Sequence, residues 1–162
     1  MLYFSFGSNM SEKRLLQRIT ASRIGVAILT EHQLCFRKRS EADGSAKCDI
    51  LETGQPDDFV LGVLYDIHRS QKTVLDIYEG LGYGYNVKTV SVMIDNKSFD
   101  AFTYYATNID TSLKPYHWYK RHVLEGAKEN NMPQEYIQRI DRIPAQIDID
   151  SERRERELSI YA

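Results

Sequence analysis

The chain has 162 residues, enough for one domain that buries a core without help from disulfides or a structural metal. Hydrophobic residues make up 42% and charged residues 27% of the sequence, close to globular averages, which excludes disorder or a collagen-like structure for most of the chain. The 21 basic and 23 acidic side chains leave a net charge of -2, so charge does not indicate binding to nucleic acid or to an acidic membrane.

The cysteines and histidines give no metal or disulfide pattern. Cys35 and Cys48 form no CxxC pair, and the four histidines lack the spacing of metal ligands. The N-terminus has no basic region followed by a long apolar run, and no stretch approaches the ~20 apolar residues of a membrane span. We therefore expect a cytoplasmic protein with reduced thiols, no metal or cofactor, and no nucleic-acid or membrane partner.

The chain opens with a pattern of strand, glycine loop and helix. Leu2 to Phe6 is a short apolar run that stops at Gly7, which predicts a buried strand. Ser11 to Ile19 has a helical stripe of apolar residues, and Ser11 is a candidate N-cap.

The middle of the chain predicts several strands and one helix. Residues 23–37 alternate as a strand with an ambiguous centre, 38–44 read as an exposed polar loop, and 48–51 predict a short strand. Residues 59–67 are almost all apolar, which is typical of a strand buried on both faces. Residues 70–81 predict a helix with Ser70 as its cap and a glycine at its end.

The second half predicts a hairpin and two helices. Residues 85–94 and 98–107 alternate on either side of an Asp-Asn-Lys turn signal. Pro115 opens a helix that runs to Asn130, and a second helix follows over 133–143. Several strands are adjacent in sequence, so we expect an α+β fold, a small mixed, barrel-like twisted sheet with helices packed against it.

The domain organisation follows from these elements. We expect a single domain over residues 1–143. Residues 144–162 are rich in Asp, Glu and Arg and are expected to form a charged, partly disordered tail.

The loop at Gly7-Ser8-Asn9 is the first candidate site. Gly7 lets the backbone turn sharply, and the helix start beyond it leaves N–H groups unpaired, so the loop can hold a carboxylate or a developing oxyanion. The alternative is an ordinary tight turn in which the Ser and Asn side chains act as caps.

Glu79 is the second candidate. It falls on the apolar stripe of the predicted helix, one turn after Leu75, and at the helix C-terminus, where the helix dipole disfavours a negative charge. Asp76 adds a like charge, so the pattern predicts a raised pKa, as suits a proton carrier near neutral pH. The alternative is a glutamate that points to solvent at a fraying helix end.

Three further motifs are less specific. The glycines of 80–84 lack the GxGxxG spacing and follow a helix, so they indicate a connector rather than a nucleotide loop. Tyr104 and Tyr105 are adjacent in a strand, so one of them can face a cleft. Arg37, Lys38 and Arg39 could bind a carboxylate or form a solvated face.

Several of these segments, in this order, resemble one family. Tyr3-Phe4-Ser5-Phe6-Gly7-Ser8-Asn9 is similar to an N-terminal Y-x-x-Y-G-S-N loop, Tyr78-Glu79-Gly80 to a segment that holds a catalytic glutamate, and residues 103–108 to a strand with a substrate-contacting tyrosine. Gly126 to Asn130, with Pro133 and Tyr136, resembles the C-terminal helices. The family is that of the γ-glutamylcyclotransferases, in particular the type acting on γ-glutamyl dipeptides, and the resemblance runs from residue 3 to 143.

The resemblance implies a small mixed barrel and a cofactor-independent enzyme, a monomer or homodimer with a small-molecule substrate. The implied reaction converts a γ-glutamyl amino acid to 5-oxoproline and a free amino acid, with Glu79 as the general acid and base. The implied substrate-binding residues are those of the loop and one strand tyrosine: Tyr3, Phe4, Ser5, Phe6, Gly7, Ser8, Asn9 and Tyr104. Phe6 replaces the usual tyrosine of the loop, which affects specificity more than activity. The alternatives are an enzyme for γ-glutamylamines or glutathione, and a non-catalytic binding module of the same fold.

Overall fold

The computed structural model describes all residues from 1 to 162 and contains seven strands and five α-helices. The strands are β1 (Leu2–Ser5), β2 (Ser22–Thr30), β3 (His32–Arg39), β4 (Ala46–Glu52), β5 (Phe59–Asp66), β6 (Tyr85–Ile94) and β7 (Lys97–Ala106). The helices are α1 (Glu12–Leu15), α2 (Arg69–Glu79), α3 (His117–Glu129), α4 (Gln134–Asp141) and α5 (Ser151–Leu158). Short 3-10 turns span Ser8–Met10 and Ser159–Tyr161.

Five strands close into a small barrel in the order β1-β5-β2-β6-β7. β1 closes it, because it pairs antiparallel with β5 and parallel with β7. β5 is buried on both faces, as its apolar run predicts. β6 and β7 form the predicted hairpin, and its turn residues Asp95 and Asn96 both have positive φ, the conformation that two-residue hairpins require. The mixed α+β barrel predicted from the sequence is confirmed.

β3 and β4 form a separate two-stranded sheet beside the barrel. α3 packs against the loop that follows β1 at very short range, because a Cβ at Gly126 would lie 2.6 Å from the backbone nitrogen of Ser11. Asn130, at the end of α3, donates a hydrogen bond to the carbonyl of Met10 at 3.1 Å. The barrel, the small sheet and α3 therefore meet around the loop at Gly7.

Some element boundaries differ from the sequence prediction. The predicted strand over 23–37 is two strands, β2 and β3, separated at Glu31, which has a φ of 59°. α1 is one turn long and continues only as hydrogen-bonded turns to Ile19. The side-chain cap of α2 is His68, which accepts from the N–H of Ser70; the prediction that Ser70 is the cap is wrong.

The C-terminal residues also differ from the expected disordered tail. They form α5, and their first turn is anchored by Asp148, which accepts hydrogen bonds from the indole of Trp118 at 2.8 Å and from Arg153 at 2.6 Å. These contacts hold the pKa of Asp148 below its usual range, the Arg153 hydrogen bond contributing most. The sequence pattern does not reveal this contact, because Trp118 lies 30 residues from Asp148 and the segment around Asp148 is rich in charged residues. No helix of the protein is long and apolar enough to span a membrane.

Candidate active site

A cleft opens where β1 ends at the Gly7 loop, between the barrel, β4 and α3. It encloses about 310 Å³ of empty space, including its open mouth. The residues that line it come from six separate parts of the chain: Tyr3, Ser5, Phe6, Gly7, Ser8, Asn9, Cys48, Glu79, Tyr85, Tyr104 and Tyr119. The loop, Glu79 and Tyr104, which the sequence singles out independently, therefore lie in one site.

The loop presents unpaired donors to the cleft. The backbone N–H groups of Gly7, Ser8 and Asn9 donate no hydrogen bond within the protein. Neither Ser8 nor Asn9 caps the short helix with its side chain, which argues against the simple capped-turn interpretation. Position 7 is a glycine because the loop packs closely against β4: a Cβ at Gly7 would lie 3.0 Å from the Cβ of Cys48.

A buried hydroxyl adds to this polar wall. Ser5 is 2% exposed and lines the cleft, and its Oγ has no hydrogen-bond partner. A buried hydroxyl without a partner costs about 1–3 kcal/mol. A polar ligand in the cleft would remove that cost.

Glu79 is held in the cleft rather than pointing to solvent. α2 ends at this residue because Gly80 adopts a left-handed conformation with a φ of 66°, as the sequence predicts. The Glu79 side chain is 16% exposed, and its Oε1 accepts hydrogen bonds from Asn9 Nδ2 at 2.8 Å and from Arg18 Nη1 at 3.2 Å. Its Oε2 accepts no hydrogen bond from the protein, so one oxygen is fixed and the other is available to a ligand.

Asn9 connects the loop to this carboxylate. Its Nδ2 also donates to the hydroxyl of Tyr3 at 3.2 Å, and its Oδ1 accepts from Arg18 Nη1 at 3.0 Å. Arg18 thus bridges Asn9 and Glu79, and it also stacks 5.2 Å from the ring centre of Tyr78. The sequence analysis missed Arg18, since an isolated arginine after a short helix has no distinguishing pattern.

Two tyrosines fix the opposite wall by clamping Cys48. The hydroxyl of Tyr85 donates to the Cys48 carbonyl at 2.5 Å, and the Tyr119 hydroxyl accepts from the Cys48 N–H at 3.1 Å. Burial raises the pKa of both hydroxyls well above the usual value, so both stay protonated at neutral pH. Neither residue was expected at the site, because only the three-dimensional fold brings β4, β6 and α3 together there.

Tyr104 lines the cleft and is hydrogen-bonded to Asp76. The Tyr104 hydroxyl donates to Asp76 Oδ1 at 2.6 Å, so its proton is directed away from a ligand. Asp76 also pairs with Lys72 Nζ at 2.8 Å, so its charge is balanced locally and does not act on Glu79 as an isolated like charge. Burial and the bond to Asp76 raise the pKa of Tyr104.

Of the predicted binding residues, Phe4 alone does not line the cleft. Its side chain is fully buried in the core, where the missing Cβ of Gly62 leaves room for its ring. Alternate residues of a strand face opposite sides, so Tyr3 and Ser5 face the cleft while Phe4 cannot. Its inclusion as a binding side chain is therefore corrected by the fold.

Comparison with known proteins agrees with this arrangement. The model of the AIG2-like family matches residues 59–140. The γ-glutamylcyclotransferase of Bos taurus is 34% identical over 150 residues, which cover 88% of this chain and 78% of that protein. The γ-glutamylcyclotransferase of Homo sapiens is 33% identical over 149 residues, with the same coverage of 88% and 78%.

A solved structure of a γ-glutamyl cyclotransferase superposes with a TM-score of 0.87 at 29% identity, covering 98% of each chain. The mixed barrel is thus the fold of a γ-glutamyl cyclotransferase. The chain belongs to the γ-glutamylcyclotransferase family and is an enzyme of that type.

Proposed function

We propose that the cleft converts γ-glutamyl amino acids to 5-oxoproline and a free amino acid, with Glu79 carrying the protons. One observation supports this most strongly: Asn9 and Arg18 fix Oε1 of Glu79, while Oε2 has no protein donor and the residue lines a cleft whose loop has unpaired N–H groups. Such an arrangement suits proton transfer to and from a bound ligand.

The reaction needs a base but no enzyme nucleophile. The substrate's own α-amino group attacks its γ-carbonyl, and ring closure gains from being intramolecular. An α-amino group has a pKa of about 8, so at pH 7 it is mostly ammonium and cannot attack. Glu79 Oε2 removes one ammonium proton, and the freed nitrogen forms the new bond to the γ-carbon.

The same carboxyl group completes the proton balance. When the tetrahedral intermediate collapses, the bond from the γ-carbon to the leaving nitrogen breaks and Glu79 returns its proton to that nitrogen. The ring nitrogen loses its second proton before this collapse, and the departing amine takes up one proton in return, which leaves the lactam N–H of 5-oxoproline and an ammonium group on the released amino acid. Two protons therefore move from one nitrogen to the other.

The loop supplies the electrostatic part of the proposal. The free N–H groups of Gly7, Ser8 and Asn9 would hold the oxyanion or the substrate carboxylate, where preorganised donors cost no rearrangement. The Tyr3 hydroxyl, whose pKa burial raises, remains a neutral donor beside them. Arg18 balances the charge of Glu79 between turnovers.

The test is a product assay on the purified protein with γ-glutamyl-alanine, glutathione and γ-glutamyl-ethylamide. We expect 5-oxoproline and alanine in equal amounts from the first substrate, and less turnover of the other two. The same assay is run on Glu79→Gln. Glu135→Gln, which replaces an exposed carboxylate on α4, is its matched control. Absence of 5-oxoproline from all three substrates would overturn the proposal.

A further inference from the structure

The cleft continues outward into a basic region, the outer cleft, which shares the walls Ser8, Glu79, Tyr85 and Tyr119 with the inner cleft. Four cationic side chains line this outer cleft: Arg14, Arg18, Lys38 and Lys47. Since Glu79 lines both parts, a group released beside Glu79 can enter the outer cleft.

Three of these four cations already have a carboxylate partner. The pairs are Arg14 with Glu157, Arg18 with Glu79 and Lys47 with Asp43, at N–O distances of 2.8, 3.2 and 2.7 Å. Lys38 is the exception, because no carboxylate oxygen lies within 4.0 Å of its Nζ and it donates no hydrogen bond. It is the one cation of the outer cleft available to an anion.

The fold directs Lys38 into the cleft. The pairing of β3 with β4 shifts register between Phe36 and Lys38, and such an irregularity redirects the side chains that follow it. Arg37 is used in an ion pair with Asp49 at 2.7 Å, and Arg39 is exposed. The polar stretch predicted as a solvated loop thus contributes one buried cation.

The surroundings of Lys38 bury most of its side chain and leave its ammonium accessible from the cleft. The residue is only 9% exposed, its Nζ lies 4.9 Å from the ring centre of Tyr85, and Gly84 leaves room for its stem, since a Cβ there would come within 2.7 Å of Lys38 Cε. Burial lowers the pKa of Lys38, and Glu79 and Glu41 oppose that shift from a distance. A side chain held in place by its packing, with an ammonium that has no carboxylate partner, is suited to bind the carboxylate of a ligand.

We propose that Lys38 binds the carboxylate of the leaving amino acid and thereby selects γ-glutamyl amino acids over γ-glutamylamines. This inference rests on the proposed function. The carboxylate of an α-amino acid is separated from its nitrogen by a single carbon, so it must lie next to the nitrogen that Glu79 protonates. Tyr85 lines both parts of the cleft and carries Lys38 over its ring, which places the ammonium on that side of Glu79.

A matched pair of substrates isolates the contact. γ-Glutamyl-alanine and γ-glutamyl-ethylamide have the same scissile amide and differ only in the leaving-group carboxylate. We expect the wild type to prefer the alanine substrate in kcat/KM by about 10- to 100-fold, the scale of a hydrogen bond to a charged group. Lys38→Met should lose this preference by lowering kcat/KM for γ-glutamyl-alanine alone, and Arg39→Met is the neighbouring control.

The outcomes separate the two claims. Ethylamide turnover by Lys38→Met at the wild-type rate demonstrates that the variant is folded, and Lys38→Gln provides a second neutral variant. An equal loss on both substrates, or no loss on either, overturns the role of Lys38 while 5-oxoproline formation by the wild type still supports the proposed function. A wild type that forms no 5-oxoproline from any substrate overturns both.

Discussion

Arg14 and Arg18 lie four residues apart, and each pairs with a glutamate from a distant part of the chain. Arg18 meets Glu79 at 3.2 Å and Arg14 meets Glu157 at 2.8 Å. The two pairs have the same chemistry and similar burial, and in each the carboxylate has one oxygen without a protein partner, but they differ in their surroundings.

The Glu157 pair is closed off from the cleft, because Glu157 lines neither its inner nor its outer part. Its Oε2 accepts from Arg14 and contacts Nε2 of His122 at 3.0 Å, while Nδ1 of His122 lies 2.8 Å from the hydroxyl of Tyr161. Nη1 of Arg14 also lies 2.9 Å from Nε2 of His122, so the three side chains Arg14, His122 and Glu157 form one cluster. The network joins the N-terminal turns, α3 and the C-terminal residues, which is a structural role.

The Glu79 pair is open. Its Oε2 has no protein partner and the loop beside it has three free N–H groups. A buried Arg-Glu pair with a free carboxylate oxygen therefore does not by itself identify a catalytic site, whereas a cleft beside it with unpaired N–H donors does.

Replacing the open carboxylate should abolish turnover. Glu79→Gln can still accept the hydrogen bond from Asn9 but cannot carry a proton, so we expect kcat to fall by at least about 10²-fold, the lower range of general acid–base contributions. The melting temperature should change little, because the amide retains the packing. Measured kcat and thermal unfolding decide the matter, and an active Glu79→Gln protein would remove Glu79 from its proposed role.

Replacing the closed carboxylate should have the opposite effect. Glu157→Gln weakens the pair with Arg14, whose side chain is 13% exposed, so we expect a loss of about 1–3 kcal/mol in the free energy of unfolding. Urea denaturation measures this loss. The kcat should stay close to that of the wild type at a temperature where the variant is folded, and a large loss of kcat without a loss of stability would erase the distinction between the two pairs.

Removing the Asn9 side chain, which links the loop to Glu79, should lower kcat because Glu79 loses its fixed orientation. Asn9→Ala deletes the amide that holds Glu79 Oε1 and the Tyr3 hydroxyl, and we expect kcat to fall by about 10- to 100-fold, as for other partners that orient a functional side chain. Asn130→Ala, which removes an amide on the far side of the same loop, is the comparison. A normal kcat for Asn9→Ala would mean that Glu79 needs no positioning.

The closed network should make stability depend on pH. Burial and the nearby Arg14 lower the pKa of His122 to about 4 against the contribution of Glu157. The unfolded chain therefore binds this proton first, so stability is full above pH 6.5 and falls as the pH drops from 6.5 towards 4. Urea unfolding at several pH values measures the slope, and His122→Gln should flatten it; an unchanged slope would contradict this assignment.

The smallest effect is expected at Tyr104. Its hydroxyl is committed to Asp76, so Tyr104→Phe should lower stability by about 1 kcal/mol and change kcat/KM by less than about 10-fold. A much larger loss in kcat/KM would indicate that this hydroxyl turns from Asp76 to the substrate.

The local parts of the site could be predicted from the sequence, and the distant parts could not. The Gly7 loop and Glu79 stand at element ends marked by Gly7 and Gly80, and such end signals are local. Tyr85, Tyr119 and Arg18 reach the cleft only because the barrel closes and α3 packs at Gly126, which no periodicity encodes.

Two differences from the sequence prediction have the same origin. Lys38 faces the cleft because the register of β3 with β4 shifts just before it, and residues 144–162 are ordered through contacts such as that between Asp148 and Trp118. Charge-rich segments are exposed on average, but the fold can place an individual charged residue of such a segment in a buried position.

Incorporation of oxygen from water distinguishes the proposed cyclisation from hydrolysis of the γ-glutamyl bond. γ-Glutamyl-alanine is incubated with the protein in ¹⁸O-labelled water, and the masses of the products are measured by mass spectrometry. Attack by the substrate's own amine predicts unlabelled 5-oxoproline and alanine in equal amounts, with no such product from Glu79→Gln. Glutamate carrying ¹⁸O would contradict the account, because the cleft would then direct water to the γ-carbonyl.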